Sequence, residues 1–429
     1  MEKLFKMDVH GTNIRRETVA GITTFLAMAY ILAVNPSIMS NAGMNSASVF
    51  TGTAIAAAIA TLTMAFTANL PIALAPGMGL NAFFAFTVVL GMGISWQKAL
   101  TAVFLEGVLF IILSLFNVRE AIIKAIPSNL KKAVAAGIGL FICFIGFQNA
   151  GIIVNNDATL VGLGNLTSGS AAVAMIGLAI TAVLFALKVP GSILLGILLT
   201  TLIGIPFGVT QLPQGWQPVS MPASPLLFQF DFNNILSFEF FAVFFTFLFV
   251  DIFDTVGTLV GVASEGRLMD ANGNVPRVKQ ALLADAVGTV AGACLGTSTV
   301  TSYVESTAGV AAGGRTGFTS LTTGILFLLA LFLSPIFLLV PAAATAPALI
   351  VVGFLMLKAV TGIDFNDVSE GLSAFITIVM MPFAYSVAEG IVWGIITYVV
   401  MKAATGKAKS IPVITWILCA VFVLRLVLA

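Results

Sequence analysis

The chain has 429 residues, of which 59% are apolar and 9% charged, with a net charge of +1. Soluble domains carry about 25% charged residues, so this composition excludes a soluble globular protein and indicates a polytopic membrane protein. The near-neutral balance points to no nucleic-acid partner, and a single histidine, His10, excludes a histidine metal cluster or a Ser-His-Asp triad. Cys143, Cys294 and Cys419 each lie alone in an apolar run, which favours small-residue packing over disulfides.

Lys3, Lys6, Arg15 and Arg16 precede the first apolar run, which ends at Asn35-Pro36. No small-residue cleavage pattern follows, so the run reads as a retained helix rather than a removed signal. Runs long enough to cross, or nearly cross, the hydrocarbon core come at 17–35, 46–67, 77–92, 97–116, 132–148, 170–187 and 190–208. A second set comes at 238–257, 281–296, 304–314, 317–335, 341–358, 371–386 and 388–403. A further stretch, 411–428, either crosses once more or lies at the interface. With the N-terminus in the cytoplasm, all of the 19 Lys and Arg residues except Lys98 and Arg425 fall on the inside. This is the pattern the positive-inside rule gives for fourteen spans in a cell membrane.

Residues 209–236 form the longest outside segment, contain no Lys or Arg, and read as a linker between two sets of seven spans. An odd number of spans turns the second set upside down. The expected organisation is an all-α polytopic protein with inverted seven-span repeats at 1–208 and 237–410 and a C-terminal apolar segment at 411–429. Thr24-Phe25-Leu26 in span 1 matches Thr246-Phe247-Leu248 in span 8. Asn81 and Glu305 follow these phenylalanines at nearly equal distances, each at the start of the short third span of its half. Paired short spans at matching places point to the substrate site of an inverted-repeat transporter.

The two short spans share a design. Pro71 and Pro76 disfavour helix in the residues before them, so 70–76 is expected to be extended, with a helix starting near Pro76–Gly79. In the second half Thr297, Thr299 and Thr301 alternate as in a strand, and Glu305 opens a glycine-rich half-helix. Extended backbone at membrane depth must be satisfied by protein, and the two segments could satisfy each other as a short antiparallel pair.

Span 8 carries Asp251 and Asp254, three residues apart and therefore on nearly one helix face. Each buried acid costs about 2.5–3.5 kcal/mol on insertion scales, a cost that marks a site. Asp251, Asp254, Asn81 and Glu305 together offer acceptors and one amide, which suits a flat heterocycle with N–H donors better than a bare ion. Tyr303 or a phenylalanine could stack on its face. Burial disfavours a charged carboxylate, so Asp251, Asp254 and Glu305 are candidates to carry a proton. Asp254 has a second reading, as a brace for the helix through Thr255 and Thr258. Asp285 in span 9 reads as a network partner, and Glu106 in span 4 has no obvious one. Asp364, Asp367 and Glu370 read as solvated acids of an inside loop.

Four stretches carry a family resemblance. They are Glu17–Pro36, Ala75–Phe86 with its Pro-Gly-Met-Gly-Leu-Asn81, Asp251-Ile-Phe-Asp-Thr-Val-Gly-Thr258, and Gly296–Gly309 followed by Gly313-Gly-Arg-Thr-Gly317. With these motifs the chain resembles the AzgA-like purine permeases, a branch of the nucleobase–cation symporter-2 (nucleobase–ascorbate transporter) superfamily. The resemblance implies a proton-coupled purine importer rather than an enzyme, with no cofactor beyond the coupling proton. It also implies a core domain (17–116 and 237–335) moving against a gate domain (131–208 and 341–403), and a homodimer in membrane lipid. In that family the positions matching Asp251, Glu305 and Asn81 bind the base, and the one matching Asp254 is needed for transport. Hypoxanthine and guanine lead as substrates, with adenine the alternative within the family. An anion transporter of related fold is the reading from another class. It calls for a cation at the site, and no Lys or Arg lies near Asn81, Asp251 or Glu305 in the chain.

Overall fold

In the computed structural model, residues 2–115, 127–266, 268–269 and 275–428 are described. Arg119, Lys124 and Arg267, three of the basic residues assigned to inside loops, lie outside them. Among the described residues nine helices are long and apolar enough to cross a membrane, with shorter apolar helices at Met78–Gly91, Ser192–Gly204 and Val368–Phe383.

In chain order the elements are α1 (Ile14–Asn41), α2 (Ser46–Ala68), β1 (Leu74–Pro76), α3 (Met78–Gly91), α4 (Trp96–Leu115) and α5 (Ser128–Asn149). A hairpin, β2 (Ile153–Asn156) and β3 (Leu160–Leu163), leads to α6 (Gly169–Ala186) and α7 (Ser192–Gly204). The second half has α8 (Phe238–Glu265), α9 (Val278–Leu295), β4 (Val300–Ser302), α10 (Ser306–Ala311) and α11 (Gly317–Leu338). It continues through α12 (Ala342–Leu357), α13 (Val368–Phe383) and α14 (Val387–Ala404) to α15 (Val413–Leu428).

Local chemistry sets many of the helix starts. Asn13, Asn45 and Ser168 each accept a hydrogen bond from a backbone N–H three residues on, and Thr316 from one two residues on. This satisfies amides that a helix N-terminus leaves open. The first helix corrects the expectation that it stops at Asn35-Pro36: it continues through Pro36 to Asn41. The Asn35 side chain, wholly buried, donates to the Thr53 and Thr297 hydroxyls at 2.7 and 2.8 Å. Proline removes one ladder bond, and side-chain bonding of this kind gives a polar residue beside it a packed place.

The chain divides into two compact units, 1–115 with 146–348 and 116–145 with 349–429. In the larger unit, Ala56 and Ala60 of α2, Leu74, Leu259 of α8, Leu282 of α9 and Val300 form one buried cluster around the two short strands. The 209–236 segment is strapped down rather than loose. Phe228 N–H bonds the Cys294 carbonyl at 2.9 Å, Ser220 N–H the Phe332 carbonyl at 3.1 Å, and the Trp216 indole the Pro335 carbonyl at 3.2 Å.

In the smaller unit, α5 and α12 cross at glycines: a Cβ on Gly353 would stand 2.5 Å from the Gly139 carbonyl oxygen. Here the structure corrects the reading of Asp367 and Glu370 as merely solvated. Lys402, 5% exposed, pairs with Glu370 at 2.8 Å and Asp367 at 3.4 Å, and Lys407 pairs with Asp367 at 2.9 Å. Asn129 donates to Glu370 at 2.5 Å. A cation that is almost wholly buried needs such partners, and these two acids supply them.

Candidate functional site

The site grows from the ladder between β1 and β4. The strands run antiparallel with Leu74 opposite Ser302, Ala75 opposite Thr301 and Pro76 opposite Val300. The ladder extends beyond them: Gly77 N–H bonds the Thr299 carbonyl at 2.9 Å and Tyr303 N–H the Ala73 carbonyl at 3.0 Å. This is the mutual satisfaction expected of extended backbone within an apolar protein. Proline at 76 is tolerated because a two-stranded ladder leaves each strand an outer edge.

One threonine on each flanking helix completes each strand. The Thr61 hydroxyl accepts from Leu74 N–H at 2.9 Å and donates to the Leu74 carbonyl at 3.1 Å. The Thr289 hydroxyl does the same for Val300, at 3.2 and 3.0 Å. Thr61 lies on α2 and Thr289 on α9, the second helix of each half.

From this ladder the two short helices start. Gly77 leads into α3, with wholly buried Asn81 in its first turn. A Cβ on Gly77 would stand 2.6 Å from Thr301 Cγ2 and 3.6 Å from Asp254 Oδ2, so the close approach of the strands requires glycine. Asn81 Oδ1 accepts a hydrogen bond from the Ser298 hydroxyl. Beyond Asn81 the helix widens into π-type turns from Phe83 to Gly91, a distortion common at functional positions. On the other strand, Glu305 stands at the head of α10 and accepts from the Tyr30 hydroxyl at 2.5 Å. Tyr303 is buried, and its hydroxyl donates to the Pro76 carbonyl at 2.6 Å, so it braces the opposite strand.

Helix α8 closes the arrangement. Asp251 is wholly buried and Asp254 half-buried. Thr255 Oγ1 lies 3.4 Å from Asp251 Oδ1, 2.5 Å from Asp285 Oδ1 and 2.8 Å from the Thr301 hydroxyl, which ties α8, α9 and β4 together. Asp254 interacts electrostatically with Asp285 and Glu305. Thr258, one turn further along, is half-buried. The structure therefore brings Asn81, Asp254 and Glu305 to the heads of the two short helices. It sets Asp251, Thr255 and Asp285 in one network beside β4.

Sequence reasoning missed four contributors. Tyr30 lay inside a recognisable stretch, but phenols in apolar helices are common and nothing marked this one. Ser298 was one hydroxyl among several. Thr61 and Thr289 had no signal beyond being polar in small-residue helices. Glu106 was noticed without a partner; it is wholly buried on α4, and Oε2 accepts from Thr299 at 3.1 Å.

Comparison with known proteins places this architecture. The model of the Permease family, Xan_ur_permease, matches residues 15–393. A putative permease of Methanocaldococcus jannaschii is 49% identical over all of this chain and 98% of its own. The guanine/hypoxanthine permease PbuG of Bacillus subtilis is 47% identical, covering 99% of both chains. The adenine permease AdeP of Escherichia coli is 44% identical over all of this chain and 96% of its own. Among solved structures, the transmembrane domain of the cyanobacterial bicarbonate transporter BicA superposes with a TM-score of 0.68 at 14% identity, covering 89% of this chain and 97% of that one. At that identity the likeness is one of fold.

Proposed function

Because the chain belongs to the Xan_ur_permease family of purine and nucleobase permeases, we propose that it imports purine nucleobases across the cell membrane in symport with protons, by alternating access. It is a polytopic membrane transporter rather than an enzyme. The observation that carries the site is that one two-stranded ladder launches two helices, one headed by an amide, Asn81, and the other by a carboxylate, Glu305. A purine ring presents N–H donors and ring acceptors along its edges. Asn81 can serve either, while Glu305 and Asp251 accept from N–H. Tyr303 supplies a ring beside them.

Asp254, Asp285, Thr255 and Thr258 form the coupling network. Asp254 interacts with both Glu305 and Asp285, and like charges gathered at one site repel. A proton taken up on the outside relieves that repulsion, and its release on the inside restores it. The anion reading loses ground here, because clustered carboxylates repel an anion.

In this account fourteen spans form two inverted repeats, with the N-terminus cytoplasmic. The paired clamps of Thr61 on Leu74 and Thr289 on Val300 support the repeat. The core (17–116 and 237–335) carries the base past the gate (131–208 and 341–403), and the transporter works as a homodimer in the lipid bilayer. Hypoxanthine and guanine are the leading substrates and adenine the alternative, since adenine and guanine/hypoxanthine permeases resemble the chain almost equally.

The test is uptake of labelled hypoxanthine into proteoliposomes with an imposed pH gradient, acid outside. Accumulation should follow the gradient and collapse with a protonophore. Accumulation driven by sodium alone, or equilibration unaffected by the gradient, would contradict proton coupling.

A further inference from the structure

Tyr30 lies midway along α1, where the helix tightens. Leu32 N–H bonds the Ala29 carbonyl at 3.1 Å and Ala33 N–H the Tyr30 carbonyl at 3.0 Å, both three-residue steps. Such a turn inside a helix often marks a functional position. The side chain is 1% exposed, and its hydroxyl donates to Glu305 Oε1.

The same helix holds the rest of α10. Gly309 lies against the Thr24 hydroxyl, and a Cβ there would also stand 2.7 Å from the Ala20 carbonyl oxygen, so a larger residue would push α10 off α1. At the far end, Glu17, wholly buried, accepts from Arg315 N–H at 2.9 Å, Thr316 N–H at 3.3 Å and the Thr319 hydroxyl at 2.6 Å. The Arg315 guanidinium donates to the Val310 and Gly314 carbonyls, both at 2.7 Å. A cation at those carbonyls satisfies acceptors that a helix C-terminus leaves open. The half-helix bearing Glu305 is thus docked on α1 along its length. An α1 side chain fixes the carboxylate at its head, and another fixes the turn that follows its foot.

A carboxylate has two oxygens and rotates freely unless something holds it. Here the Tyr30 hydroxyl occupies Oε1 and fixes the rotation of the group. We propose that Tyr30 is a positioning residue of the transport site, which orients the Glu305 carboxylate and leaves its second oxygen to accept a ring N–H of the base. The inference rests on the assignment of Glu305 to the site made above. It names the ligand class read there as a heterocycle with an unsubstituted N–H at the edge facing Glu305, so that methylation of that nitrogen is rejected.

The test compares Tyr30→Phe and Glu305→Gln with the unaltered protein at equal membrane abundance. Labelled hypoxanthine is the substrate, and its ring N-methyl derivatives are the competitors. Tyr30→Phe keeps the ring and its packing and removes only the donor. Its KM should rise about tenfold, as loss of a hydrogen bond to a charged group predicts, with maximal velocity changed less than about twofold. Discrimination between hypoxanthine and the derivative methylated at the nitrogen read by Glu305 should shrink. Glu305→Gln should lose uptake. A wild-type KM and competitor ranking in Tyr30→Phe, or a loss confined to abundance or maximal velocity, would overturn the positioning role while leaving the site intact. Normal uptake by Glu305→Gln would overturn the site assignment, and the role of Tyr30 with it.

Discussion

The strands β1 and β4 pair with each other, and each is completed by one threonine from the second helix of its own half. Up to that point the two arms are near copies. They then diverge: one leads through Gly77 to an amide in the first turn of a helix that widens beyond it, the other through Tyr303 to a carboxylate at the head of a six-residue helix. The difference separates two jobs. The symmetric part satisfies backbone where water is absent, and any repeat can supply it twice. In the proposed function the asymmetric part faces a ligand whose edges differ, and a pair of identical side chains would read such a ligand poorly.

That division predicts unequal consequences for changes in each part. The largest should come from Asp251, the wholly buried acid on α8 that the proposed function gives to the base. Asp251→Asn should cut labelled purine uptake by about 100-fold at unchanged membrane abundance, the scale of losing a charged hydrogen-bond acceptor. Near-normal uptake would mean that Asp251 only supports the Thr255–Asp285 network.

The symmetric part should fail symmetrically. Thr61→Val and Thr289→Val each leave one N–H and one carbonyl of a buried strand without their partner, at a cost of about 1–3 kcal/mol. Thermal unfolding of the purified protein should show similar losses for both. A marked difference would break the equivalence of the arms.

The smallest effect belongs to the other compact unit. Hydrogen bonds from Ser369 and from Lys407 hold the Asp367 carboxyl well below the usual carboxylate range. A depressed folded-state value means that the stabilisation is complete above the unfolded value, about 3.9, and is lost as pH falls through the folded one. The difference in melting temperature between the protein and its Asp367→Asn variant should therefore be flat from about pH 5 to 8 and narrow only in stronger acid. A change near neutrality would assign the effect to another group.

Much of this plan was legible in the chain. Hydropathy located the long apolar helices. Pro71, Pro76 and the alternating threonines located the paired strands, because extended backbone in an apolar protein has few places to go. Asn81, Asp254 and Glu305 stand out in the sequence because polar groups are costly in apolar helices. Tyr30 was not, since a phenol is at home in an apolar helix and its role depends on a partner 275 residues away. Glu17 and Glu106 needed the same long-range information. The end of the first helix was misjudged at Pro36 because the local rule for proline takes no account of the buried bonds of Asn35 to Thr53 and Thr297. Asp367 and Glu370 looked solvated because the buried Lys402 that they serve sits on another helix.

The central claim is that the carboxylates and amide around the strand pair select a purine base. Competition of labelled hypoxanthine uptake by a panel of unlabelled purines, pyrimidines, sulfate and bicarbonate tests it most directly. The account predicts strong competition from hypoxanthine and guanine, competition from adenine set by its affinity for the same site, and none from the anions. Competition by bicarbonate or sulfate with indifference to purines would contradict it.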